Sequence, residues 1–189
     1  MGPLGALAVA GRVADRFDEA GIEYAIGGAL ALGVWGAPRT TQDVDISVYV
    51  DLSRLGEVID ALERAGVMVP RDAHRDASRM GFFRGMLGRT PVDVFVALHP
   101  FHVDARARRR AVEDPDGVPR WFLSPEDFVV LKVYYGREKD EVDLRRLLNV
   151  RTDLDFAYIE GWLSKMVPAR DPRLEMLGRL RARARAVPQ

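Results

Sequence analysis

Apolar residues at helical spacing open the chain. LGALAVAGRVADRFDEA predicts an amphipathic helix from about Leu4 to Ala20, stopped by Gly21. A short strand is expected over Tyr24–Ile26, then a turn at Gly27 and Gly28. A short helix from about Leu30 to Trp35 follows, which Gly36, Pro38 and Arg39 break. From Asp43 to Val50 the pattern changes to period two. Val44, Ile46 and Val48 fall on one face, and Asp43, Asp45 and Ser47 on the other, as in a strand. Leu52–Ala65 reads as an amphipathic helix ending at Gly66, with a strand near Val67–Val69 after it. MGFFRGMLGRTPVDVFVAL reads as two strands joined by a Gly-Arg-Thr-Pro turn.

The second half changes character. DARARRRAVEDPDGVPR is charged and turn-rich and is expected on the surface. SPEDFVVLKVYYG carries full helix punctuation: Ser124 as N-cap, Pro125 at N1, Asp127 three residues after the cap, Gly136 at the end. KDEVDLRRLL, TDLDFAYIEGWLSKM and DPRLEMLGRLRARARA predict three more helices. The expected class is α/β (α+β), a mixed sheet flanked by helices, with the core in residues 1–123 and a helical portion in 124–189.

Composition narrows the function classes. The chain has 189 residues, 48% of them hydrophobic, 30% charged, and a formal net charge of +0, so no global charge advertises a nucleic-acid or membrane partner. It has no cysteine, which excludes disulfides, thiolate metal sites and thiol catalysis. The N-terminus lacks a basic n-region and reads as a helix rather than a signal peptide. No run reaches the ~20 apolar residues of a transmembrane helix; the expected compartment is the cytoplasm, with no membrane partner.

Asp43 and Asp45 pose the chemical question. Residues i and i+2 of a strand point the same way, and two like charges held together need a cation or open water. Asp93 lies in VDVFV, whose valines must face a core, so it points to the opposite face as well. If the two strands are neighbours, spaced roughly 4.8 Å, three carboxylates converge. Such hard oxygen ligands suit Mg²⁺ or Mn²⁺. The Gly27–Gly28 turn lets backbone approach the phosphates of a nucleotide. Lys132, inside an apolar helical stretch, would be compensated by a triphosphate if its ammonium is buried; the alternative is a side chain snorkelling to solvent. Arg39 either reaches the triphosphate or caps the helix before it. Arg137 and Asp140 either pair to fix a helix junction or join the site, and Asp143 is open between site and surface. His74, His99 and His102 show no metal-like spacing.

Gly-Gly, a spacer, Asp-x-Asp, and a third Asp in a later strand resemble the polymerase β-type nucleotidyltransferases. The segment LKVYYGREKDEVDLRRLL is similar to the Lys…Arg-x-x-Asp-x-x-Asp stretch of their AbiEii/MenT-like branch, which includes toxins of toxin–antitoxin systems. The resemblance covers Tyr24 to about Leu148. It implies Mg²⁺ held by Asp43, Asp45 and Asp93, and a nucleoside triphosphate contacted by Gly27, Gly28, Arg39, Lys132, Arg137, Asp140 and Asp143. The implied reaction transfers a nucleoside monophosphate to an acceptor hydroxyl and releases pyrophosphate. A protein antitoxin is an implied partner. One position departs from the pattern. Many members carry Ser directly after the glycine, where its hydroxyl holds a phosphate, and here Ala29 stands. A hydrogen bond to a charged group contributes about 1.5–3 kcal/mol, so its loss weakens the grip.

Two other readings remain open. A domain of this type that has lost turnover would act as a nucleotide- or partner-binding module. A glycosyltransferase using Asp-x-Asp would leave Asp93 and Lys132 without a role. The arginine clusters RARRR (106–110) and RLRARARA (179–186) favour RNA as acceptor if they lie open to solvent.

Overall fold

The computed structural model describes residues 5–186, with side chains to residue 184. The chain divides into two compact units. One holds the residues up to Leu30 together with Thr40–Leu123; the other holds Ala31–Arg39 and everything from Ser124 onward.

The first unit contains a six-stranded mixed sheet. Its strands are β1 (Tyr24–Ile26), β2 (Val44–Val48), β3 (Phe82–Leu87), β4 (Thr90–Val96), β5 (Arg110–Glu113) and β6 (Pro119–Phe122), in the order β3-β4-β2-β1-β6-β5. Pairing is parallel between β2 and β4 and between β1 and β6, and antiparallel elsewhere. Val44, Ile46, Val48, Val92 and Val94 are almost wholly buried, as two neighbouring strands with one core-facing row require. Helix α1 (Ala6–Glu19) buries Val9, Val13 and Phe17, and packs on α3 (Leu55–Arg64) and the sheet. The expected start at Leu4 lies outside the described residues. α2 (Gly28–Val34) starts at the second glycine of the Gly-Gly pair, two residues earlier than its periodicity suggested. A 3₁₀ turn, Leu52–Arg54, leads into α3.

Two parts of this unit differ from expectation. Residues near Val67–Val69 form no strand; Met68 makes a single bridge to Met86. The stretch expected as a charged, turn-rich surface segment contains the end of α5 (Phe101–Arg108) and most of the β5–β6 hairpin, with β5 largely exposed. Asp114 explains the hairpin. Its Oδ1 accepts the N–H groups of Asp116 and Val118, and its Oδ2 accepts Nε of Arg120 at 3.0 Å. Arg120 is 5% exposed and also pairs with Asp15 of α1 at 2.7 Å, so a charged residue becomes an interior tie. A further helix, α4 (Ala73–Met80), packs on β3.

The second unit is helical: α6 (Pro125–Tyr135), α7 (Glu138–Val150), α8 (Phe156–Met166) and α9 (Pro172–Ala186). Ser124 caps α6 by accepting the Asp127 N–H, and Gly136 ends it at φ 60°. α6 packs against α7, α8 and α9. Among the described residues, no helix is long and apolar enough to cross a membrane.

Gly85 of β3 lies where the Met68–Met86 bridge closes over the strand. A Cβ there would meet Val67 Cγ1 at 2.6 Å and the Met68 carbonyl oxygen at 3.2 Å. Gly85→Ala is expected to cost about 1–3 kcal/mol through overpacking. Hydrogen exchange should show lost protection at the Met68 and Met86 amides. Unchanged protection would mean that the bridge does not depend on the glycine.

Candidate functional site

Three strands position the first group of residues. Asp45 of β2 stands opposite Asp93 of β4, and Asp93 opposite Arg84 of β3. Register partners project to one face, so Arg84, Asp93 and Asp45 form a row across the sheet. The valines between them fix that row, because a slip of one residue would turn the carboxylates into the core. Asp43 sits just before β2; its N–H donates to Thr41 Oγ1 at 3.3 Å.

Asp93 is 6% exposed, and Arg84 grips it with both arms of a fork. Nε donates to Oδ1 at 2.5 Å and Nη2 to Oδ2 at 2.7 Å. The Arg84 pKa lies above its ordinary value. The hydrogen bonds to Asp93 are the main cause, burial opposes them, and the charges of Asp93, Asp43 and Asp45 add to the rise. Asp45 and Asp93 stand side by side in register, and Asp93 is paired with a cross-strand arginine. Among the described residues, no group of three carboxylates or imidazoles is gathered as a metal cage.

Asp45 explains the glycine pair. The Gly27 N–H donates to the Asp45 carbonyl at 2.8 Å. At Gly28, where φ is +54°, a Cβ would fall 1.7 Å from Asp45 Oδ2. Only glycine tolerates both the left-handed backbone and the carboxylate lying on it.

A second group is assembled wholly within the helical unit. Lys132 of α6 is 7% exposed, and its Nζ donates to Asp140 Oδ1 at 2.7 Å and to Asp143 Oδ2 at 2.9 Å. Arg137 forks onto Asp140, with Nε at 2.7 Å, and also places its backbone N–H on that carboxylate. Arg39 forks onto Asp143, with Nε at 2.7 Å and Nη2 at 3.1 Å. Burial pushes the Asp140 and Asp143 carboxyls up, but the bonds from Arg137, Arg39 and Lys132 outweigh it and hold both below the ordinary value. Lys132 does not snorkel, Asp143 is not a surface residue, and Arg39 pairs with Asp143. The compensation that the sequence assigned to a triphosphate is supplied here by two aspartates.

The arginine clusters are partly spent on internal pairs. Arg106 and Arg109 both bond Glu23, and Arg109 lies over the Trp121 ring. Arg181 pairs with Glu160 at 2.7 Å and covers Phe156. The Arg185 side chain lies outside the described residues. His102 is pushed down to about 4, by burial first and then by His99.

No family model and no curated protein matches this sequence. Solved structures do. The chain is 20% identical to the antibiotic-resistance factor ANT(2'')-Ia in its complex with adenylyl-2''-tobramycin, at a TM-score of 0.51, covering 95% of this chain and 97% of that one. The solution structure of the same factor gives the same score over 95% and 91%. The Thermotoga maritima protein TM1012, named as a candidate nucleotidyltransferase, is 18% identical, with a TM-score of 0.52 over 77% and 93%. The fold, a mixed sheet with flanking helices, is that of the nucleotidyltransferases.

Two expectations follow from this geometry. Gly28→Ala should lower stability by about 1–3 kcal/mol from the strained backbone and the Asp45 clash. The loss should shrink in an Asp45→Ala background, and additive effects in that double-mutant cycle would show that Asp45 does not require the glycine. Lys132→Met should lower stability by about 3 kcal/mol, the low end for a broken buried pair, because Arg39 and Arg137 still partner the aspartates. The two aspartates have depressed pKa values in the folded state. Their stabilisation is therefore complete well above the ordinary value of 3.8 and is lost as pH falls below it. Acid unfolding of Lys132→Met should show a shallower fall in that window. An equal Tm for wild type and variant would remove the network from the stability of this unit.

Proposed function

We propose that the chain is a divalent-metal-dependent nucleotidyltransferase that moves a nucleoside monophosphate from a triphosphate to an acceptor hydroxyl. The observation that carries this reading is the in-register Asp45–Asp93 pair, with Asp43 two residues upstream, on the sheet of a nucleotidyltransferase fold. Asp43 and Asp45 fit a hard divalent ion by donor chemistry, since both offer only oxygen. Each Asp93 oxygen holds an N–H group of Arg84, so the arginine competes with an ion for this carboxylate. A bound Mg²⁺ or Mn²⁺ supplies charge neutralisation to the phosphates and polarises the phosphoryl group.

The chain's own residues would do the rest. Gly27 and Gly28 present bare backbone beside Asp45, where a side chain would exclude a phosphate. The acceptor oxygen attacks the α-phosphorus, the bond to the β-phosphate oxygen breaks, and pyrophosphate leaves. Asp93, which keeps lone pairs beyond the two that hold Arg84, would take the hydroxyl proton. Positioning and charge stabilisation carry such transfers more than covalent catalysis does. Contact of Lys132, Arg39, Arg137, Asp140 and Asp143 with the nucleotide remains part of the proposal. The salt bridges among these five residues do not by themselves support it.

For the acceptor, the internal pairing of Arg106, Arg109 and Arg181 weakens the case for RNA. ANT(2'')-Ia, crystallised with an adenylylated aminoglycoside, supports a small-molecule hydroxyl instead. A toxin paired with a protein antitoxin belongs to the RNA reading. Growth arrest on expression, relieved by Asp45→Asn, would support it.

The deciding experiment gives the protein each α-labelled nucleoside triphosphate with Mg²⁺ and, separately, total RNA, protein or an aminoglycoside panel. Pyrophosphate release is expected, and Asp45→Asn should reduce it at least about 10²-fold without unfolding. Label in RNA would restore the RNA acceptor. Nucleotide binding with no pyrophosphate would leave the binding module as the function.

A further inference from the structure

Arg84 was not among the residues that the sequence pointed to. We propose that it is the built-in second cation of the site: its guanidinium takes the place of a second metal ion at Asp93, so that the chain binds one divalent ion, through Asp43 and Asp45. This rests on the reading of the site as metal-dependent.

Four observations carry it. Arg84 is placed by register rather than by chance of rotamer, directly across β3–β4 from Asp93, itself directly across β4–β2 from Asp45. Its fork takes one lone pair on each oxygen of Asp93, at 2.5 and 2.7 Å. Its charge interacts with all three carboxylates of the group. Finally, a guanidinium does not lose its proton in a protein, so the positive charge is permanent. An ion placed at Asp93 would stand beside it, two like charges at one carboxylate.

The Arg84 side chain is 53% exposed while that of Asp93 is 9% exposed, so the arginine reaches from solvent to a buried carboxylate that is costly to leave without a cation. The arrangement is better understood as a division of charge. Three carboxylates on one face need more positive charge than one divalent ion brings, and Arg84 supplies the remainder from the protein. Two of its N–H groups are committed to Asp93. The other three remain available to the oxygens of a phosphate, in the fork geometry that suits such groups.

The test is Mn²⁺ titration of the full chain without nucleotide, read by electron paramagnetic resonance, for wild type, Arg84→Met, Arg84→Lys and Asp45→Asn. Wild type should bind one ion, and Arg84→Met should bind two, the first about tenfold more tightly. Arg84→Lys keeps the charge and should stay at one. In metal-free buffer Arg84→Met should melt several degrees below wild type, because the buried Asp93 is left beside Asp45 without a cation, and saturating Mn²⁺ should recover that loss. Two ions in wild type, both weakened in Asp45→Asn, would overturn the role of Arg84 while leaving the metal-dependent reading intact. Two ions in Arg84→Lys would also overturn it, since the argument is one of charge. No Mn²⁺ bound by wild type or by Arg84→Met would overturn the metal-dependent reading itself.

Discussion

Asp45 and Asp93 face the same way on neighbouring parallel strands, roughly 4.8 Å apart by sheet geometry, and like charges at that spacing repel. The valines on the other face leave the sheet no alternative register. The surroundings of the pair are arranged to make it tolerable. Arg84 comes in from the third strand and holds Asp93. Gly28 gives up its side chain and turns to φ +54° so that the Asp45 carboxylate can lie against the backbone. Each compensation is local, and each fixes a side-chain position that a reaction would use. Order in the site is thus a by-product of solving an electrostatic problem in the sheet.

The helical unit solves a similar problem with a different device. Asp140 and Asp143 lie on one face of α7 at a spacing of three, and both are essentially inaccessible. Lys132 from α6 bridges them, and Arg137 and Arg39 each close one from outside. A buried ionic network of this kind adds little net stability over an apolar core, but it fixes how two helices meet, because any other angle strands a charge. Arg137 combines two tasks, sitting at the N-cap of α7 and pairing with the N3 carboxylate.

What the sequence made legible follows from where energy is concentrated in short patterns. The alternation of Val44, Ile46 and Val48 against Asp43 and Asp45 located a strand. Ser124, Pro125, Asp127 and Gly136 marked both ends of a helix, because caps act within one turn. Gly27 and Gly28 stood out by type. Three features were illegible for equally definite reasons. α4 buries only Ala73 and Ala77, so it has no apolar stripe to read. The β5–β6 hairpin was hidden because its charged residues, Asp114 and Arg120, satisfy each other inside the fold, and composition cannot distinguish such a pair from a solvated one. Arg84 depends on strand register, which no single stretch contains. Lys132 stood out as a cation in an apolar helix, but whether it was buried stayed open, because its partners lie eight and eleven residues away on another helix.

Ala29 and Arg84 belong to one argument. The position after Gly28 is occupied by a residue only 4% exposed. A serine at this place would bring its hydroxyl into an enclosed environment, where it must find a partner to avoid the penalty of an unsatisfied polar group. The chain has alanine there and forgoes that hydrogen bond. What it has in addition is a permanent guanidinium on the same sheet face as the carboxylates, half open to water. In the proposed site a phosphate loses the hydroxyl donor and meets the charged Arg84 fork instead. On this view the departure from the serine pattern is no sign of decay. On the proposed reading, Ala29 is one half of a site in which the protein itself brings positive charge to the carboxylates.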